Sequence, residues 1–235
     1  MGFFMKKFVG LAAAVGALAL LGSTAANATL VVSASVGGAP TGVSYVNFDD
    51  LPLGNAGGTT GGVAVSFLPD GQTVSGAVVG VYAAPYLSNN NGVPFGDPNN
   101  GADTTHYVTT GLGSMTLQFP ILEKYVGLLW GSVDTYNTLT FYDGATIVGS
   151  LTGTDVTAGA NGDQGVNGTF YVNVNSDVAF DKIVATSSQY AFEIDNVAYD
   201  ESEHNPGPVP EPLSLSLFGA GLLSLAGFGA RKRRR

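Results

Sequence analysis

A chain of 235 residues without cysteine, with nine basic and 18 acidic residues, can form no disulfide scaffold, thiolate metal site or thiol nucleophile. Seven of the basic residues sit at the two ends, as Lys6, Lys7 and the last five positions. The stretch between them, with only Lys124 and Lys182, therefore carries about −16 rather than the −9 of the whole chain. Nucleic acid is excluded as a partner, because no basic surface is present to displace counterions from phosphate. Such a surface favours solubility and hard divalent cations, and it repels anionic lipid.

The N-terminus opens with Lys6 and Lys7, continues through an apolar run over 8–21, and reaches Ala26-Asn27-Ala28 ahead of Thr29. A positive segment, an apolar segment and a small-residue A-x-A site make residues 1–28 a secretory signal peptide, with Ala26 and Ala28 directing cleavage. Residues 29–203 then form one domain, large enough for its own core. No i, i+3, i+4, i+7 apolar repeat runs through it, whereas short alternating runs recur. Strands are predicted near 41–48, 63–67, 74–82, 114–119, 125–130, 137–142, 146–152, 168–174, 180–186 and 191–199. Asp143-Gly144 between two of them predicts a hairpin with a type I′ turn. About ten short strands predict an all-β fold, an antiparallel two-sheet β-sandwich of jelly-roll kind. No fixed-period repeat argues for a propeller or solenoid.

Two oxygen-rich stretches interrupt this rhythm. Residues 83–113 contain Asn89-Asn90-Asn91-Gly92 and the run from Gly96-Asp97 to Asp103; residues 153–168 contain Asp155, Asn161, Asp163 and Asn167. Such side chains suit Ca²⁺, which takes six to eight oxygens. They equally suit turns, where Asn, Asp and Gly are favoured for conformational reasons alone. The domain begins with Asn47-Phe48-Asp49-Asp50-Leu51 and ends with Phe192-Glu193-Ile194-Asp195-Asn196-Val197. In the closing strand Phe192, Ile194 and Val197 can face inward while Glu193 and Asp195 flank them, with a break in alternation near Asn196. The pairing of these two ends resembles jelly-roll carbohydrate-binding modules, in which an early acidic residue and a late Asp-Asn hold a structural calcium. That resemblance implies Asp49 or Asp50 and Asp195 as Ca²⁺ ligands. The alternative is a turn at Asp49-Asp50 and a bulge at Asp195-Asn196.

The string Leu129-Trp130-Gly131-Ser132-Val133-Asp134-Thr135-Tyr136-Asn137 ends an apolar strand in polar, turn-forming residues. Trp130, Asp134 and Tyr136 are candidates for a glycan-binding site, joining aromatic faces to a carboxylate. The competing reading places Trp130 in the core and uses Asp134 and Asn137 for Asx-turns. Catalytic patterns are absent: there is no G-x-S-x-G or H-E-x-x-H, and Gly111-Leu112-Gly113-Ser114 has the residues in the wrong order. His106 is the one histidine of the domain, since His204 falls in the following linker. Glu123 and Glu193 are the pair a glycosidase would need; both read more simply as exposed strand-edge residues, and the expectation is a protein that is not an enzyme.

Residues 204–212 form a linker ending in Val209-Pro210-Glu211-Pro212, whose prolines keep the backbone extended. Residues 213–230 carry no charge, and Arg231, Lys232, Arg233, Arg234 and Arg235 close the chain. Eighteen helical residues span only ~27 Å, a short transmembrane helix whose basic end stays cytoplasmic. This order of motif, apolar span and basic end resembles the PEP-CTERM sorting signal, which a membrane protease, exosortase, recognises. The string at 129–144 together with 191–197 resembles the body of one group of such proteins. The resemblance implies membrane attachment through residues 213–235, removal of the tail, and delivery to the surface or extracellular matrix of a Gram-negative-type bacterium that makes exopolysaccharide. A structural or adhesive role in that envelope or biofilm follows as the expectation. A carbohydrate-binding module is the alternative and a glycan-active enzyme the third reading. A plain single-pass anchor is the competing account of the tail.

Overall fold

Runs rich in Val, Thr, Phe and Tyr, separated by Gly, Asn and Asp, favour extended chain. The computed structural model describes residues 28–204, and their regular structure is almost entirely antiparallel strands. The leader through Asn27, the Pro210-Glu211-Pro212 motif and the tail with Arg231 to Arg235 lie outside the described residues. Among the described residues no helix is long and apolar enough to cross a membrane.

The elements in chain order are β1 (Leu30–Ser35), β2 (Ser44–Val46), β3 (Gly58–Thr60), β4 (Val63–Phe67) and β5 (Gly71–Val74). β6 (Tyr86–Leu87), a 3-10 turn (Val93–Phe95), β7 (Gly101–Ala102) and β8 (Tyr107–Thr110) follow. Then come β9 (Ser114–Gly131), β10 (Asn137–Asp143), β11 (Thr146–Thr152), the single helical turn α1 (Gly153–Val156), β12 (Phe170–Ser187) and β13 (Phe192–Asp200). Among the described residues eleven strands join in one sheet, seven along the path β11-β10-β12-β9-β13-β8-β5 with β1 on β12, β2 on β13, β4 on β9 and β3 on β4, while β6 and β7 form a small separate ladder.

β9 and β12 have 18 residues each and pair from Ser114–Thr186 to Trp130–Phe170. Their register breaks between Asn175 and Lys182, opposite the exposed residues Pro120, Ile121 and Leu122. Around this corner each strand passes from one half of the sheet to the other. The first half of β9 carries β4 and its second half carries β13. β1 lies on the first half of β12 and β10 on the second. The halves share one core, in which Leu117, Phe141 and Ile183 of one join Leu128, Trp130 and Val172 of the other. Phe119 meets Tyr199 across it with ring centres 5.3 Å apart. The outer edges also approach: Ala28 N–H donates to the Val148 carbonyl at 3.0 Å, and Tyr199 Oη donates to that of Gly61 at 3.1 Å.

Predicted strands at 114–119 and 125–130 are thus one strand, and those at 168–174 and 180–186 are another, because the chain stays extended round the corner. The run at 74–82 stops at Val74, where Gly76 and Gly80 take φ of 71° and 76°. Tyr107–Thr110, inside a predicted loop, is a fully buried strand. The β10–β11 hairpin forms, but Asp143 pairs with Thr146, so the turn is Gly144-Ala145 rather than Asp143-Gly144. Gly144 has φ 57°, and positive φ at the first turn residue alone is the type II′ requirement.

Phe180 is fully buried at the corner, edge-on to Phe119 and Phe141 at 6.0 and 5.1 Å. Phe180→Ala is expected to lower unfolding free energy by about 3–5 kcal/mol. Denaturant titration should show a lower midpoint with an unchanged slope.

Candidate functional site

β13 positions the acidic residues. Its register on β9 slips between Asp195 and Ala198, where Asn196 takes φ 50°. Before the slip Phe192 and Ile194 enter the core; after it Val197 and Tyr199 do. Glu193 and Asp195 consequently share the outer face of the sheet, as the alternation predicts. The segment 83–106 crosses that face. Its Leu87 and Phe95 pack with Tyr125, Leu129, Tyr171 and Ala198 in a second small core. Tyr86 N–H donates to Thr169 Oγ1 at 3.1 Å, and Asn47 Nδ2 donates to the Phe95 carbonyl at 2.8 Å. Covered in this way, Glu193 and Asp195 are almost wholly buried.

The crossing segment brings two more buried carboxylates. Asp97, Asp103 and Asp195 each place an oxygen within 4.8 Å of the others. Asp103 Oδ1 accepts from Thr105 N–H at 2.8 Å and from its hydroxyl at 2.7 Å. Asp195 Oδ1 accepts from Asn196 N–H at 2.8 Å. The Oδ2 atoms of all three carboxylates have no hydrogen-bond partner. Burial first, then the negative charges of Asp103 and Asp49, lifts the Asp97 carboxyl to about 6. Burial and its contact with Asp103 hold Asp195 well above the usual carboxylate range.

A polar cleft of about 160 Å³ lies beyond the end of β9, lined by Ser132, Asp134, Tyr136, Tyr82, Tyr190 and Glu193, with Asn161 and Gly162 at its side. Glu193 spans both regions: Oε1 accepts from Ala83 N–H at 2.9 Å, and Oε2 accepts from the Ser132 hydroxyl at 2.6 Å. Burial raises its carboxyl to about 7 against those hydrogen bonds. Burial also raises Asp134, while Tyr136 beside it acts the other way. Gly162 has φ 71°, and a Cβ there would stand 2.8 Å from both Asp134 carboxylate oxygens, so the 153–168 stretch closes against Asp134 only with glycine at this point.

Asp134 and Tyr136 are therefore together in one cleft, but Trp130 is not with them. It has no exposed surface and stacks on Phe192 at 4.3 Å in the core, so it offers no face to a sugar. The aromatic side chains that do line the cleft are Tyr82, Tyr136 and Tyr190. Asp195 joins the acidic cluster, whereas Asp49 and Asp50 are exposed and line a separate open cleft of about 340 Å³ with Tyr45 and Phe95. Asp49 accepts from His106 N–H at 3.0 Å and from Asn47 Nδ2 at 2.9 Å. In the second oxygen-rich stretch Asp155 accepts from Thr152 N–H at 2.7 Å in the capping box of α1, and Asp163 accepts from Gly165 N–H at 2.7 Å, which is turn chemistry. Asp97 and Asp103 were visible only as part of an oxygen-rich run; nothing local in the chain brings them to Asp195.

Glu123 is buried at the corner of β9 with both oxygens unpartnered, and burial, then Glu201 and Asp200, raises it to about 7. Glu193 pairs with Gly131, at the far end of β9 from Glu123. That separation is roughly 25 Å of extended chain. The two carboxyls do not flank one cleft at the ~5–10 Å of a glycosidase pair.

The Glu193 value sets a pH dependence. Its carboxyl moves from 4.5 to about 7 on folding, so its stabilising contribution is complete below 4.5 and is lost as pH rises through about 7. Without divalent cations the protein should melt higher near about pH 5 than near about pH 8. Glu193→Gln, which can still accept from Ala83 N–H and can donate to Ser132 Oγ in place of accepting from it, should show a shallower decline in thermal scans across that range. Identical slopes would mean Glu193 stays charged throughout.

The chain matches no protein-family model, no curated protein and no solved structure, so the chemistry of these sites is read from their own geometry.

Proposed function

We propose that this chain is an exported protein which an exosortase-like membrane protease sorts to the surface of a Gram-negative-type bacterium. There its domain serves as a structural or adhesive component of the exopolysaccharide-rich envelope or biofilm. The observation that carries this reading is the order of Pro210-Glu211-Pro212, the uncharged 213–230 and the basic Arg231 to Arg235, behind a cleavable leader. In this reading the bent sheet is a two-layer β-sandwich of jelly-roll type.

The arrangement of the domain suits display. Thr29 N–H donates to Asp177 Oδ1 at 2.8 Å, and His204 exchanges two hydrogen bonds with Asn175, at 2.7 and 3.0 Å. Both described ends thus lie at one turn of the sheet, next to where β13 finishes. β13 starts beside the polar cleft at Phe192 and runs nine residues to Asp200. Cleft and tether are then about 25–30 Å apart at opposite ends of one strand.

The cleft favours a second reading, a carbohydrate-binding module. Asp134, Glu193 and three tyrosines supply acceptors, hydroxyls and ring faces of the kind sugars need. At about 160 Å³ the cleft is smaller than the ~300 Å³ of ordinary ligand pockets, which suits one sugar unit or a chain end.

Intact mass of the native protein, taken separately from membrane and from surface or medium, tests the sorting. A surface species running from Thr29 to near Pro210 is expected, and Glu211→Ala should retain the tail. A membrane-only species that keeps 213–235 would overturn matrix delivery. For the second reading, Tyr136→Ala and Tyr190→Ala should weaken retention on exopolysaccharide by roughly tenfold, ~1.4 kcal/mol, with melting temperature unchanged. Equal retention would leave the structural role.

A further inference from the structure

The acidic cluster combines three features that ordinary acidic patches lack. Its carboxylates come from three separate places: Asp97 after the 3-10 turn, Asp103 after β7, and Asp195 in β13. All three are buried, at 4 %, 2 % and 0 % exposure. Beside them Asn196 is 0 % exposed, and its amide lies close enough to act on the Asp97 carboxyl, yet neither Oδ1 nor Nδ2 completes a hydrogen bond. A buried, unpartnered amide facing three carboxylates whose Oδ2 atoms all lack partners costs stability unless something else binds them. No basic side chain is among the groups that act on Asp97 or Asp195; the charges felt there are negative.

We propose that Asp97, Asp103 and Asp195, with the Oδ1 of Asn196, form a binding site for a hard divalent cation of Ca²⁺ size that clamps the 83–106 segment onto β13. The spacing fits. Oxygens each about 2.4 Å from a shared ion lie no more than ~4.8 Å apart, and the three carboxylates meet that limit. The donor set is oxygen only, which favours hard ions such as Ca²⁺ over the softer transition metals. Four side chains leave positions for water, and ligands on a loop tolerate the variable geometry that Ca²⁺ accepts and Mg²⁺ does not.

Two ligands lie on the crossing segment and two on the sheet, so the ion acts as a fastener. The segment has little regular structure of its own, only the two-residue ladder of β6 and β7 and one 3-10 turn. Ordering such a stretch is costly in conformational entropy. A cation that binds only when segment and strand meet offsets that cost. Because Glu193 is covered by the same segment through Ala83, the clamp also holds the wall of the polar cleft.

The test uses the full-length chain in detergent, stripped with EDTA, and titrated with CaCl₂. Titration calorimetry should give one Ca²⁺ per chain. Saturation at ten to a hundred times a dissociation constant of ~10⁻⁴–10⁻³ M should raise the melting temperature by roughly 3–10 °C. Proteolysis within 83–106 should be faster in EDTA. Asp97→Asn and Asp195→Asn should each lose the calcium response and, relieved of repulsion, melt above the wild type in EDTA. Asp163→Asn, on an exposed turn, should keep the full response. The proposal is overturned if calcium gives no shift, if NaCl of equal ionic strength gives the same shift, or if the shift survives in Asp195→Asn.

Discussion

Side-chain direction alternates with every residue of a strand, so the register between β9 and β12 decides which face each neighbouring strand presents to the core. In the observed register Val126, Leu128 and Trp130 point inward while Tyr125 and Leu129 point outward to meet the crossing segment. The outer face is pinned as well, by Tyr125 Oη donating to Asn173 Oδ1 at 2.7 Å and Tyr171 Oη donating to the Asn196 carbonyl at 3.1 Å. β13 takes its register from β9, with Ile194 opposite Trp130. A slip of one residue would send Glu193 and Asp195 into the hydrocarbon core. Site and core are therefore set by the same ladder.

With only Lys124 and Lys182 among residues 28–204, buried carboxylates must be satisfied without basic partners. The structure meets this in graded ways. Glu193 is fully engaged, one oxygen on a backbone N–H and the other on a hydroxyl. Asp103 and Asp195 each have one oxygen engaged and one free. Glu123 has neither, and burial favours its protonated form. The gradient follows the supply of nearby donors: loop backbone lies over Glu193, whereas Glu123 faces Asp200 and Glu201, which can only repel it.

The all-β character and most strand positions were legible because they rest on local alternation. So was the parity change in β13, since a break at Asn196 is the only way for Ile194 and Val197 both to be internal. The fusion of strands around the corners was not legible: Pro120 and the exposed Ile121 and Leu122 fall between two predicted strands, and they stay extended across the break in register with β12. Half of the candidate site was visible for the same reason. Asp134 and Tyr136 are close in sequence and share a cleft. Asp97 and Asp103 reach Asp195 across about a hundred residues, through the packing of Phe95 on Tyr45 and Tyr171, and no local pattern encodes that contact. Of the two readings of Trp130, core residue and sugar platform, the core one holds, because its parity on β9 points it inward.

The central position of β13 has a mechanical consequence. β13 lies between β9 on one side and β8 and β2 on the other, and it leads directly into the C-terminal linker. Tension applied between the two ends of β13 acts along the strand axis, parallel to its neighbours. In that direction the cross-strand bonds on both sides are sheared together and share the load. A pull across the sheet would instead open them one after another. A pull along this strand is resisted by the whole central ladder rather than by its weakest bond.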